Sequence, residues 1–183
     1  VRWRALFDDL EVQFAASERL AEESEIADRV RLEQAGILLI DRLRGQLGLI
    51  LRIRVSGGVL FDGELTHVGS EWVVLSKATG DVVIPLAAVQ LVEGLGRKVL
   101  GDTSRVQSAL GLASALRTLA RDRSHVVVHS ADAGACIEGT IDRVGKDFME
   151  IAAVLPGEQR RSGSVGAVYA VPFAGIAAVS SRS

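Results

Sequence analysis

The sequence predicts a mainly β protein with a helical minority (α+β). The expected architecture is two tandem five-stranded small barrels, each preceded by a helix, behind an amphipathic N-terminal helix. Three observations carry this. Residues 63–75 read GELTHVGSEWVVL and residues 139–151 read GTIDRVGKDFMEI. Each has a glycine, alternating apolar residues, Val-Gly, two non-aromatic positions, an aromatic and further apolar residues. A second phrase follows each in the same order, IPLAAV at 84–89 and VPFAGI at 171–176. The hydrophobic period also changes from helical to alternating near residue 49. A phrase repeated in order fixes architecture, because each copy is one supersecondary unit.

The elements follow in order. Trp3, Phe7, Leu10 and Phe14 recur at helical spacing, so residues 2–17 are expected to form an amphipathic helix. A second helical stretch is expected over 18–44, with Ile26, Val30 and Ile37 as a weaker stripe, a bend at Gly36 and a stop at Gly45. Leu49, Leu51, Ile53 and Val55 then alternate with Ile50, Arg52 and Arg54, the mark of a strand. Strands are expected at 59–67, 71–76, 82–85 and 89–92, separated by Gly-rich turns and closed by Pro85. After a connector over 94–101, Asp102, Thr103 and Ser104 offer N-caps for a helix with Val106, Leu110, Ala113, Leu116 and Ala120 on its apolar stripe. Strands follow at 125–130, 135–143, 147–153, 165–171 and 176–179. The offset between copies is 76 residues at the first phrase and 87 at the second, so the longer copy carries its insertion in the loop around Pro156–Gly163. Gly63 and Gly139 sit mid-strand, where a strand wrapping a tiny barrel bends sharply. Leu65 and Ile141 are expected inside, with Trp72 and Phe148 filling the barrels or capping their mouths. The expected organisation is an acidic helical segment at 1–45, a barrel at 46–93, a linker and helix at 94–123, and a second barrel at 124–183.

The net charge of −2 gives no global pull toward nucleic acid or an anionic membrane. The acidity is local: residues 1–40 carry nine acids against five bases. Cys136 is the one cysteine, so no intrachain disulfide forms, which fits a reducing cytoplasm. No apolar leader with a cleavage site opens the chain, so a signal peptide is not expected; Val1 reads as a GTG start codon. The longest apolar stretch, 37–53, is broken by Asp41, Arg42, Arg44 and Arg52, so no membrane span is expected.

Chemistry-bearing patterns are sparse. His67, His125 and His129 are the three histidines, and the last two stand about 13 Å apart on one predicted strand, too far to share a metal. Gly-x-Ser-x-Gly is absent, and Gly94-Leu95-Gly96-Arg97-Lys98 lacks phosphate-loop spacing. No catalytic residue, metal or cofactor is assigned, and an enzyme is not expected. Two arginine groups gather at the helix–strand junctions: Arg42, Arg44, Arg52 and Arg54 at the first, and Arg117, Arg121 and Arg123 at the second. They are candidates for phosphate contacts, or they cap helices and pair with acids. The Trp3, Phe7, Leu10 and Phe14 stripe is the candidate protein-binding surface, docking either on its own barrels or on a partner.

The helix, the five bent strands and the two phrases together resemble the Sm-like fold, including its Hfq-type bacterial RNA chaperones. Other SH3-like small barrels share the alternation. The chain is also similar to uncharacterised actinobacterial proteins that open with Trp-x-x-Leu-Phe-Asp-Asp-Leu-Glu, here residues 3–11. The resemblance implies edge-strand pairing with neighbours. It does not extend to the RNA pocket. Val73-Val74 and Met149-Glu150 follow the aromatics where Sm-like proteins place an Asn. Pro85-Leu86 and Pro172-Phe173 stand in place of a basic phrase. The expected function is a non-enzymatic cytoplasmic interaction or assembly module whose partner is a protein or a second copy. The alternative is a nucleic-acid-binding regulator using the arginines. Neither a membrane nor a small-molecule substrate is expected as a partner.

Overall fold

The computed structural model describes residues 13, 19, 24–25, 28–29, 31–101, 110–132, 135–153 and 167–181. The chain divides into two compact units, residues 1–38 and 39–183. In the first, the described residues up to 35 are helical, with Arg29 pairing Glu25 at 3.3 Å and Arg31 pairing Asp28 at 3.1 Å, both exposed. The helical stretch expected over 18–44 breaks at Gly36, where a bend was expected. Gly36 forms a turn and 37–38 are irregular before the chain becomes helical again.

Among its described residues the second unit holds two short α-helices, α1 (Leu39–Arg44) and α2 (Leu112–Arg121). Its strands are β1 (Ile50–Val55), β2 (Leu60–Val68), β3 (Trp72–Lys77), β4 (Gly80–Pro85), β5 (Val89–Glu93), β6 (His125–Ser130), β7 (Cys136–Val144), β8 (Phe148–Ala153), β9 (Val168–Pro172) and β10 (Ile176–Ser181). Period-two alternation drives them. In β1, Leu51, Ile53 and Val55 are buried while Ile50, Arg52 and Arg54 face solvent. Leu65 and Ile141 are likewise buried. Gly63 is required by close approach: a Cβ there would lie 2.8 Å from the Ser76 carbonyl oxygen. Gly139 meets the Ala152 carbonyl in the same way.

The expectation of two closed barrels, each preceded by a helix, is overturned. The ten strands form one antiparallel sheet in the order β5-β1-β2-β3-β4-β10-β6-β7-β8-β9. In neither half does the fourth strand close on its own fifth. Instead β4 takes β10 of the other half, with Val83 opposite Val179 and Val82 opposite Ser180. Burial is the physical reason. Four consecutive β10 residues, Ile176–Val179, are buried, which a strand with one solvent-facing side does not allow. Ile176 and Val179 belong to one apolar core, with Leu116, Ile141, Met149 and Ile151. Ala177 and Ala178 belong to the other, with Leu43, Leu51, Ile53 and Leu75. The joint strand is therefore a wall common to both cores.

Two further expectations change. Helix α2 begins at Leu112, and Leu110 precedes it as exposed, non-helical chain; the expected caps Asp102, Thr103 and Ser104 lie outside the described residues. Gly111 takes the N-cap position without a side-chain cap, and Glu71 Oε1 from the β2–β3 turn accepts the Leu112 N–H at 3.0 Å instead. Trp72 fills neither barrel nor mouth. It turns away from the core of its own half, packs in the cluster that holds Leu112 and Leu116, and donates Nε1–H to the Leu110 carbonyl at 2.7 Å.

Candidate functional site

Among the described strands the sheet ends in two edges, β5 and β9; β9 is uncharged and largely apolar and ends at Pro172, while β5 carries Glu93 beside its exposed Leu91. Each of β5 and β9 has a hydrogen-bonded neighbour on one side only among the described strands. Exposed edges of soluble sheets are usually blunted by charges, bulges or proline, because a row of free N–H and C=O groups invites pairing. Here Val168 is 53% and Tyr169 47% exposed on β9, and Leu91 is 44% exposed on β5. No charged residue occurs between Ser162 and Ser181.

The interior of the same sheet shows how such edges join. The two halves share one register. Arg52, Ile53 and Arg54 of β1 face Glu93, Val92 and Leu91 of β5, as Val127, Val128 and His129 of β6 face Ser180, Val179 and Ala178 of β10. Leu75 faces Val82 as Ile151 faces Tyr169. By these matches, β9 is the counterpart of β4 and β5 the counterpart of β10. The two strands left free are the counterparts of the two that pair at the joint.

The arginines expected to gather at the junctions are mostly engaged within the molecule. Arg42 donates to the Gly96 carbonyl at 2.8 Å, and Arg44 pairs Asp41 at 2.7 Å with both side chains largely buried. Arg52 pairs Glu93 at 3.4 Å, and Arg117 donates to the Gly145 carbonyl at 3.1 Å. Arg54, Arg121 and Arg123 are exposed. Beside Arg52, Asp62 accepts a hydrogen bond from Lys77 Nζ at 2.6 Å. That bond, with the charges of Lys77 and Arg52, holds the Asp62 carboxyl below its usual value. The Trp3, Phe7, Leu10 and Phe14 stripe lies outside the described residues.

The histidines separate. His125 and His67 are exposed, whereas His129 is half-buried, its Nε2 lying 3.2 Å from Ser180 Oγ and its ring edge-on to Phe61 at 5.1 Å. Burial pushes the His129 pKa below its usual value. Among the described residues no three His, Cys, Asp or Glu side chains come together to hold a metal ion, and no helix is long and apolar enough to cross a membrane. No protein-family model matches this sequence, and no curated protein matches it. The apolar residues of the free edges were missed in reading the sequence, although the long uncharged run around β9 was there to find them.

Proposed function

We propose that the chain is a non-enzymatic interaction and assembly module that works by pairing edge strands, with a second copy of itself as partner. The supporting observation is the β4–β10 joint, which pairs the counterparts of the two free edges. Transferring its register places Ala170 of one copy opposite Val92 of the next, and Tyr169 opposite Glu93. The contact is head-to-tail, so it repeats, forming a ring where the rotation closes and a filament where it does not. The exposed thiol of Cys136 fits a reducing compartment such as the cytoplasm. The nucleic-acid reading has less support, because four of its seven arginines already hold partners within the chain.

Light scattering behind size exclusion, over a concentration series, tests the proposal. Self-association is expected, and Val168→Lys with Ala170→Lys should return the chain to monomer, since lysine blunts an edge. In a Cys136→Ser background, Ala170→Cys and Val92→Cys should cross-link between copies under oxidation. A monomer at every concentration, or an oligomer indifferent to the lysines, would overturn the reading. A low-salt titration with single-stranded RNA and duplex DNA separates the alternative: salt-sensitive binding lost on Arg54→Glu would favour it.

A further inference from the structure

We propose that the cavity beside α2 is a binding site for a small organic amine with a compact hydrocarbon body. The inference is independent of edge pairing. The cavity measures about 380 Å³ and lies between α2 and the face of β2–β4 turned away from the core of its half. That is within the range of small-molecule pockets, roughly 300–1,000 Å³. Trp72, Val74 and Val83 line it from the sheet, and Ala115 and Leu119 from the helix. Apolar walls of this kind bind a hydrocarbon body, and the polar groups decide its head.

The polar lining is Thr66, His67, Ser76, Asp81 and Thr118, of which the Asp81 carboxylate is the one anionic group. The β2–β3 register slips between Leu65 and His67, so Thr66 is an inserted residue. A bulge re-aims side chains, and here the adjacent Thr66 and His67 both line the cavity, whereas neighbours in a regular strand point to opposite faces. Thr66 Oγ1 then stands 3.0 Å from Ser76 Oγ. Ser76 faces Asp81 across β3–β4, and the Asp81 side chain makes no ion pair among the described residues. An ammonium has three N–H donors and no acceptor. A carboxylate and two hydroxyl oxygens on one wall complement it in number and in charge.

The second half shows that the β-unit itself does not demand this wall. At the matched positions Thr66 becomes Asp142, Val74 becomes Glu150, Ser76 becomes Ala152 and Asp81 becomes Val168. The hydroxyl pair and the strand-four carboxylate are gone. Glu150 is instead engaged by Arg143 at 3.7 Å. The polar set occurs on the face that α2 borders through Ala115, Thr118 and Leu119, and not on its counterpart.

The test uses the full chain and three probes of one shape: cyclohexylmethylamine, cyclohexylmethanol and cyclohexanecarboxylate, followed by ligand-observed NMR and calorimetry. The amine should bind with a Kd of about 1 mM or better. The alcohol should bind about fivefold more weakly, as expected for one partly exposed charge, and the carboxylate not at all. Asp81→Asn, at an exposed position that does not threaten the fold, should remove the preference for amine over alcohol. Ala115→Phe should fill the cavity and abolish binding of both. Equal binding of amine and alcohol, an amine affinity unchanged in Asp81→Asn, or no binding at about 10 mM would each overturn the proposal.

Discussion

Ala178→Leu is the substitution that most sharply separates a continuous sheet from two closed barrels. Ala178 is 0% exposed in β10, packed in a core made mostly by the other half. Its counterpart on the free strand β5 is Leu91, 44% exposed. Leucine at 178 adds three carbons to a filled site, and overpacking of this kind costs about 1–3 kcal/mol. With a urea m-value of about 2 kcal/mol/M, a 2 kcal/mol loss lowers the midpoint by about 1 M. The reciprocal change, Leu91→Ala, removes a side chain that is already nearly half in water. It should cost about 1 kcal/mol or less, a shift of about 0.5 M at most. Urea titrations of both variants, followed by far-ultraviolet circular dichroism at one protein concentration, read the difference. Were β10 the outer strand of a separate barrel, Ala178 would sit as Leu91 does and accept leucine freely. A midpoint within about 0.2 M of the wild type for Ala178→Leu would refute the shared-wall argument.

Glu71→Ala removes the carboxylate that caps α2 from another element. It should cost about 1 kcal/mol at low salt, and less at high salt because part of the effect is charge at a helix N-terminus; urea midpoints at two ionic strengths check this. His129 has its pKa lowered in the folded state, so between that value and the unfolded 6.5 the unfolded chain binds the extra proton. Stability should therefore fall as pH drops below about 6.5 and level off below the folded pKa, and the drop between pH 7.5 and 5.5 should be smaller in His129→Gln. Because β10 is a wall of both cores, residues 39–183 should unfold in one calorimetric transition, with calorimetric and van't Hoff enthalpies equal; two separable transitions would contradict the shared wall.

The strands were legible because alternation is local. Leu51, Ile53 and Val55 announce β1 without reference to any partner, and the two repeated phrases mark β2–β3 and β7–β8. Partner choice was not legible. A β4 that closes on β5 and a β4 that takes β10 present the same Val82-Val83-Ile84-Pro85, and the deciding contact lies about a hundred residues away in sequence. The clue was in β10, where Ile176-Ala177-Ala178-Val179 abandons alternation, as a strand buried on both faces must. Trp72 was misplaced for a related reason. Its position in the phrase shows that it is buried, but the surface it packs against belongs to α2. The cavity was invisible because it needs Thr66, Ser76, Asp81 and a helix from the other half together, and no motif links them.

The differences between the two halves are most informative at one pair of matched positions. Asp81 occupies the first half of the sheet and Val168 the second, on strands of the same register. A chain built to remain monomeric would place its charge on the free strand β9 and its valine on the joined strand β4, because the free edge is the one in danger of pairing. The arrangement is the reverse. The carboxylate stands on the strand whose edge is already occupied, where it faces the cavity beside α2, and the apolar residue stands on the strand that has one neighbour only among the described strands. One substitution between the halves thus bears on both proposals. It supplies a charge where a ligand would need a counter-ion, and it withholds one from the strand that a second copy would pair with.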